Sequence, residues 1–278
     1  MEFIRVFETD SDYLSYRNSA GYIRPNVSLS RHSKTVFYNL DANNKPYVDL
    51  GLPSGTLWAT MNVGAAKPSE AGLYFQWGDT SGYTASQVQQ DLINPTAKIS
   101  TYSANNSITI PTGTTIPTGT TIDTLTTKAF NWKDYKWSID GSDTNFSKYT
   151  TKGAKLELAD DAAHANMGGD WHMPTPEQIQ ELIDYTTTAW TTSNGASGMT
   201  FTSKKDKSKL IFIPAAGNAY DGSVQLSGDY VCVWSSMLDT VYTDGINLGN
   251  SLCLAYRVAG SSLGVSRCGG LSVRGVLG

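Results

Sequence analysis

The sequence predicts an α+β fold made of short antiparallel strands, two helices and long loops. Three observations point there. Gly (26), Tyr (15) and Trp (7) are plentiful while charged residues are only 17% of the chain. Capped helical patterning occurs in only two segments of the main domain, residues 159–167 and from Thr175 onward, and period-two runs with turn residues fill the C-terminal third. Such a mixture fits a loop-rich globular fold and excludes a helical bundle or a disordered chain. With 278 residues the chain can bury a large core, as one domain or one domain with a small appendage.

Elements follow in order. Residues 1–45 read as a small N-terminal α/β attachment or oligomerisation unit. Phe3, Val6 and Phe7 have strand character, Thr9-Asp10-Ser11 supplies N-cap oxygens, and residues 27–30 and 35–38 alternate as strands do. The polar stretch 41–46 marks its boundary with a second unit, 46–278. There, residues 47–59 give two short strands around a Pro/Gly turn, and residues 62–64 and 73–78 continue the aromatic, Gly-punctuated style. About 80–127 is a Ser/Thr-rich surface insertion, containing the direct repeat Ile-Pro-Thr-Gly-Thr-Thr at 110–115 and 116–121. A helix over 159–167 stops at Gly168-Gly169. Another opens at Thr175-Pro176-Glu177-Gln178, a capping-box arrangement, with Ile179, Leu182 and Ile183 as its apolar stripe. Strands at 199–203 and 210–213 flank a lysine-rich tip at 204–207.

Net charge is −4 without a long basic run, so nucleic acid is not an expected partner. No run is long enough to insert in a membrane, and the N-terminus lacks the basic and apolar regions of a secretory signal, so the sequence reads as made in the cytoplasm or trimmed of a leader. Three cysteines, Cys232, Cys253 and Cys268, are an odd number without CxxC spacing, which suggests neither a zinc knuckle, a redox dithiol nor a disulfide framework.

Three groups of segments carry a resemblance. The first is 47–58 with Asn62-Val63-Gly64 and Phe75-Gln76-Trp77-Gly78. The second is Asp160-Asp161-Ala162-Ala163 leading to Gly168-Gly169-Asp170-Trp171-His172-Met173-Pro174-Thr175. The third is Ala216-Gly217-Asn218, Trp234-Ser235-Ser236 and the ending 267–274. In order and content they resemble the Fibrobacter succinogenes major paralogous domain of gut bacteria and their phages, over about 47–278 apart from the insertion. The resemblance implies a C-type-lectin-like fold of the formylglycine-generating-enzyme type. Some members are variable proteins of diversity-generating retroelements, in which adenines are randomised, chiefly in Asn codons. Changing the first two bases of an Asn codon never yields Lys, Glu, Gln, Met or Trp. From 238 through 270 all five are missing, although 14 Lys occur in the chain.

The resemblance therefore implies a ligand-binding variable region at about 220–274 on a fixed frame. Candidate contacts are Asp229, Tyr230, Val231, Cys232, Asp239, Tyr242, Asp244, Asn247, Tyr256, Gly264, Val265, Ser266, Cys268 and Gly269. Tyr offers contact area and a hydroxyl at small entropic cost, and Asp, Asn and Ser add adaptable polar contacts. Trp171, Trp234 and Arg274 are the expected frame. The implied protein is a non-catalytic, phage tail-associated receptor-binding protein located in the virion, with a protein or glycan on a cell surface as ligand and homo-oligomerisation open. The alternatives are a formylglycine-generating-type enzyme, which needs paired reactive cysteines, and a surface or pilus-tip adhesin. No cofactor and no metal is expected: His164 and His172 fall on either side of the Gly168-Gly169 break, and the calcium-lectin motifs Glu-Pro-Asn, Gln-Pro-Asp and Trp-Asn-Asp do not occur.

Overall fold

The computed structural model describes residues 39–89, 127–240, 248–255 and 261–278, with backbone alone at 249–255 and 261–263. The architecture is α+β, with mostly antiparallel sheets and two α-helices among the described residues. Helix α1 (Ala162–Met167) begins at Asp161, whose carboxylate accepts the N–H groups of Ala163 and His164 and also that of Met173. Asp161 itself is extended, so the helix expected over 159–167 divides there into a 3-10 turn, Leu158–Asp160, and α1. Gly168, with φ +74, ends it in a conformation that costs a residue with a Cβ. Helix α2 (Pro176–Tyr185) opens on the capping box of Thr175 and Gln178 and buries Ile179 and Leu182.

Three sheets surround these helices. The first orders β1 (Asn39–Leu40), β2 (Pro46–Asp49), β3 (Leu57–Ala59) and β14 (Val276–Leu277), so the last strand pairs with β3 at the edge opposite β1. The second runs β12 (Ser261–Ser266), β11 (Leu248–Ala255), β10 (Tyr230–Leu238), β13 (Gly270–Ser272), β8 (Asn218–Tyr220) and β9 (Ser223–Gln225), and β13 also pairs with β4 (Tyr74–Gln76). Within it β10 and β13 are parallel. The third is a meander of β5 (Thr186–Ser193), β6 (Ala196–Ser203) and β7 (Leu210–Pro214).

Strand β10 organises the interior because both its faces are covered. Alternation sends Val231 and Val233 into one cluster, with Trp58, Ile179, Leu182, Phe201 and Ile213. Cys232, Trp234 and Leu238 enter a second cluster with Phe75, Trp77, Ala163, Met173 and Leu271. These groups are fully or nearly fully buried, so α2 and the β5–β7 meander cover one side of the sheet and α1 with Met173 covers the other.

Two expected boundaries shift. Residues 41–45 of the polar stretch are the turn of the β1–β2 hairpin, and Asp41 accepts the Trp171 indole N–H at 2.6 Å, so this turn is tied into the main unit. The strands and helix expected for residues 1–38 lie outside the described residues. The insertion also starts later than expected: Tyr83 bridges Tyr74, and Val88 is buried and bridges Lys128. Its two ends therefore meet, while residues 90–126, including the hexapeptide repeat, lie outside the described residues.

Candidate functional site

The segment expected to bind ligand is the β10–β11–β12 end of the second sheet, with β12 at the edge. Its register decides how candidate contacts are distributed. Tyr230 faces Ala255 at one end of the ladder, and Leu238 faces Gly249 near the other. Leu248 in turn faces Ser266. Asp229, Tyr230 and Ala255 thus share one end; Asp239, Leu248 and Ser266 share the opposite end. At about 3.3 Å per residue the two ends are roughly 25 Å apart, so the candidates among the described residues are spread along the strands and do not converge on one pocket.

Burial separates these residues further. Asp229 is exposed, and Tyr230, Gly264, Val265 and Ser266 are half-buried, with Tyr230 and Val265 resting on the second core cluster. Val231, Cys232, Asp239, Cys268 and Gly269 are buried. The structure places these five away from solvent: β10 is covered on both faces at Val231 and Cys232, the 266–269 turn holding Cys268 and Gly269 is closed by the Gly269 N–H to the Ser266 carbonyl, and Asp239 is buried just past the end of β10, its N–H bonded to the Leu248 carbonyl. Tyr242, Asp244, Asn247 and Tyr256 lie outside the described residues.

Below the face sits a polar frame. Trp234 donates its indole N–H to the Phe75 carbonyl at 2.7 Å, and Trp77 donates to the Ser235 carbonyl at 3.0 Å. The fully buried Arg274 donates to Asn62 Oδ1 at 2.9 Å, to the Ala59 carbonyl at 3.0 Å and to the Phe212 carbonyl at 3.0 Å. It therefore ties β3 and β7 to the chain leaving β13. Trp171, Trp234 and Arg274, the residues expected as frame, are all fully buried.

Sequence reasoning missed Arg267, which falls inside the window lacking the five residue types yet is fully buried. It donates to Tyr135 Oη at 2.7 Å, to the Tyr149 carbonyl at 2.9 Å and to the Lys148 carbonyl at 3.0 Å. Its guanidinium lies 4.2 Å from the Phe146 ring centroid. Beside it, Lys148 bridges Glu157 at 2.7 Å and Asp160 at 2.6 Å, and the Tyr149 hydroxyl donates to Asp160 at 2.7 Å. Burial pushes the Asp160 carboxyl up, but hydrogen bonds from Lys148, Tyr149 and Lys136 outweigh it and hold the group below its ordinary value. Asp161 goes the other way, raised chiefly by burial. The Arg between Ser266 and Cys268 was visible as a residue; its aromatic surroundings come from residues 135–149 and were not.

The chemistry-bearing groups weighed in the sequence are dispersed. His164 Nδ1 lies 3.2 Å from the Trp171 carbonyl, and His172 pairs with the carbonyls of Met173 and Gly278. Among the described residues no three His, Cys, Asp or Glu side chains gather as a metal set. Burial raises the Cys268 thiol to about 12, so it is not a thiolate near neutral pH. A shallow depression of about 460 Å³ near Pro46, Ala59, Asn62, Val63 and Asn166 has none of the candidate contacts in its wall.

The described residues thus form an α+β unit in which a buried, hydrogen-bonded frame lies beneath a sheet edge. Comparison of the chain with protein-family models, with curated proteins and with solved structures finds no match.

Proposed function

We propose that the chain is a non-catalytic binding protein with a C-type-lectin-like fold, whose β10–β12 face is diversified by a retroelement. Its ligand is a protein or glycan on a cell surface, and its setting is the tail of a phage virion. The observation that carries this reading is the division of the C-terminal region by burial. Trp234-Ser235-Ser236 and Leu271-Ser272-Val273-Arg274 are buried and tied to β3, β4 and β7, whereas Asp229 is exposed and Gly264, Val265 and Ser266 are half-buried toward the edge strand. A surface that must vary without unfolding needs that division, since surface substitutions usually shift stability by less than about 0.5 kcal/mol and core substitutions by several times more. Non-catalytic binding is favoured over thiol chemistry by the burial of Cys232 and Cys268 and by the raised Cys268 thiol.

The test is the DNA around the gene. A reverse-transcriptase gene together with a near-copy of the segment encoding about 220–274, differing only at adenines, is the expected finding. A locus with neither would sink the diversification claim.

A further inference from the structure

Two of the three cysteines share one register position across two strands. Cys232 in β10 and Cys253 in β11 are Cα partners in the antiparallel ladder. The hydrogen-bonding phase of that ladder can be read from its flanks. The Tyr230 carbonyl accepts the Gly217 N–H at 2.9 Å, so Tyr230 turns its backbone polar groups away from β11. Two residues on, Cys232 is in the same phase. At the other end the Leu248 carbonyl accepts the Asp239 N–H at 2.9 Å, so Leu248 turns toward β10. The β11–β12 register runs without a shift, and Cys253, an odd number of residues further, therefore turns toward β12.

Both flanks agree that Cys232 and Cys253 form a non-hydrogen-bonded pair. In such pairs the Cα atoms lie about 4.5 Å apart. That separation falls within the roughly 4.4–6.8 Å that a disulfide spans. Cys268 differs: it lies in a separate cluster with Tyr135 and Phe146, off this ladder.

We infer that Cys232 and Cys253 are a cross-strand disulfide site, oxidised when the chain meets a disulfide-class oxidant such as oxidised glutathione. One thiolate attacks the oxidant's S–S bond, forming a mixed disulfide and releasing one glutathione thiol. The second thiolate then displaces the other glutathione thiol, so two electrons pass to the oxidant and two protons leave the cysteines. The bond joins the two strands that carry the 239–247 and 256–260 connections, fixing the register beneath the candidate face. This inference stands on the ladder alone and is independent of the function proposed above.

Because Cys232 is buried, oxidation is run during refolding of the reduced, denatured full chain in excess oxidised glutathione, with native chain in the same buffer alongside. After acid quench and denaturation, free thiols are counted and peptides mapped. Expected are one free thiol per chain, at Cys268, and a linked peptide pair carrying Cys232 and Cys253. In Cys253→Ser, Cys232 and Cys268 stay unlinked to each other. Three free thiols after refolding, glutathione adducts without the linked pair, or any link that includes Cys268 overturns the inference.

Discussion

Replacing Arg274 by Lys separates charge from geometry in the frame. The guanidinium holds acceptors from three places, the Asn62 side chain and the Ala59 and Phe212 carbonyls, at 2.9–3.0 Å. An ammonium keeps the charge but presents it at one point, so it holds about one of the three acceptors and leaves the others buried without that donor. A hydrogen bond to a charged group contributes about 1.5–3 kcal/mol, which puts the loss at about 3–5 kcal/mol. With a urea dependence of about 3 kcal/mol/M, the midpoint of unfolding falls by about 1–1.7 M, at unchanged slope. Equilibrium urea unfolding followed by Trp fluorescence, with the thiols reduced, measures it. Asp229→Asn, on the exposed turn before β10, is the internal contrast and moves the midpoint by less than about 0.2 M. An Arg274→Lys midpoint equal to that of Asp229→Asn would refute the assignment of Arg274 to the frame.

Other outcomes follow from the same geometry. Asp160 has a depressed folded pKa, so its stabilising contribution is present above the ordinary carboxylate value of about 3.9 and is lost as pH falls through the lower folded value. Asp160→Asn therefore lowers the melting temperature near neutrality and flattens its acid decline, as read by thermal melts across that range. Cys268, with its thiol raised to about 12, alkylates with iodoacetamide about three orders of magnitude more slowly than an exposed cysteine at pH about 8, and at the ordinary rate once unfolded. Replacing residues 90–126 by a short Gly-Ser linker leaves the melting temperature unchanged or raises it, since Val88 and Lys128 already adjoin and the shorter loop lowers closure entropy by about 1–2 kcal/mol. Calorimetry of the shortened chain checks this, and loss of cooperative unfolding contradicts it.

Local chemistry made much of the fold legible. Thr175-Pro176-Glu177-Gln178 announces α2 because a capping box satisfies backbone donors within one turn, whatever packs against it. The Asn194-Gly195 and Asp221-Gly222 pairs, all at positive φ, turn the β5–β6 and β8–β9 hairpins; these were readable signals for two-residue turns that the sequence reading passed over. Sheet order was not legible, since β13 lies between β10 and β8 only through long-range pairing. The same limit explains the site. Cys268 and Gly269 read as exposed loop residues because their cover comes from elsewhere: Tyr135 and Phe146 pack with Cys268, and Gln76 donates to its carbonyl. Val231 and Cys232 read as one-sided contacts because a sequence cannot tell a strand covered on one face from one covered on both. Asp229, beside Leu226, Ser227 and Gly228 on an exposed turn, was legible because no core pattern includes it.

The central claim is that ligand choice resides in changeable residues carried on a fixed frame. Its most direct measurement compares two full chains identical except at Asp229, Tyr230, Tyr242, Asp244, Asn247 and Tyr256, panned against the same array of bacterial cell-surface proteins and glycans. Melting temperatures within a few degrees of each other and different bound ligands are expected. Identical ligands for both chains, with both folded, would contradict it.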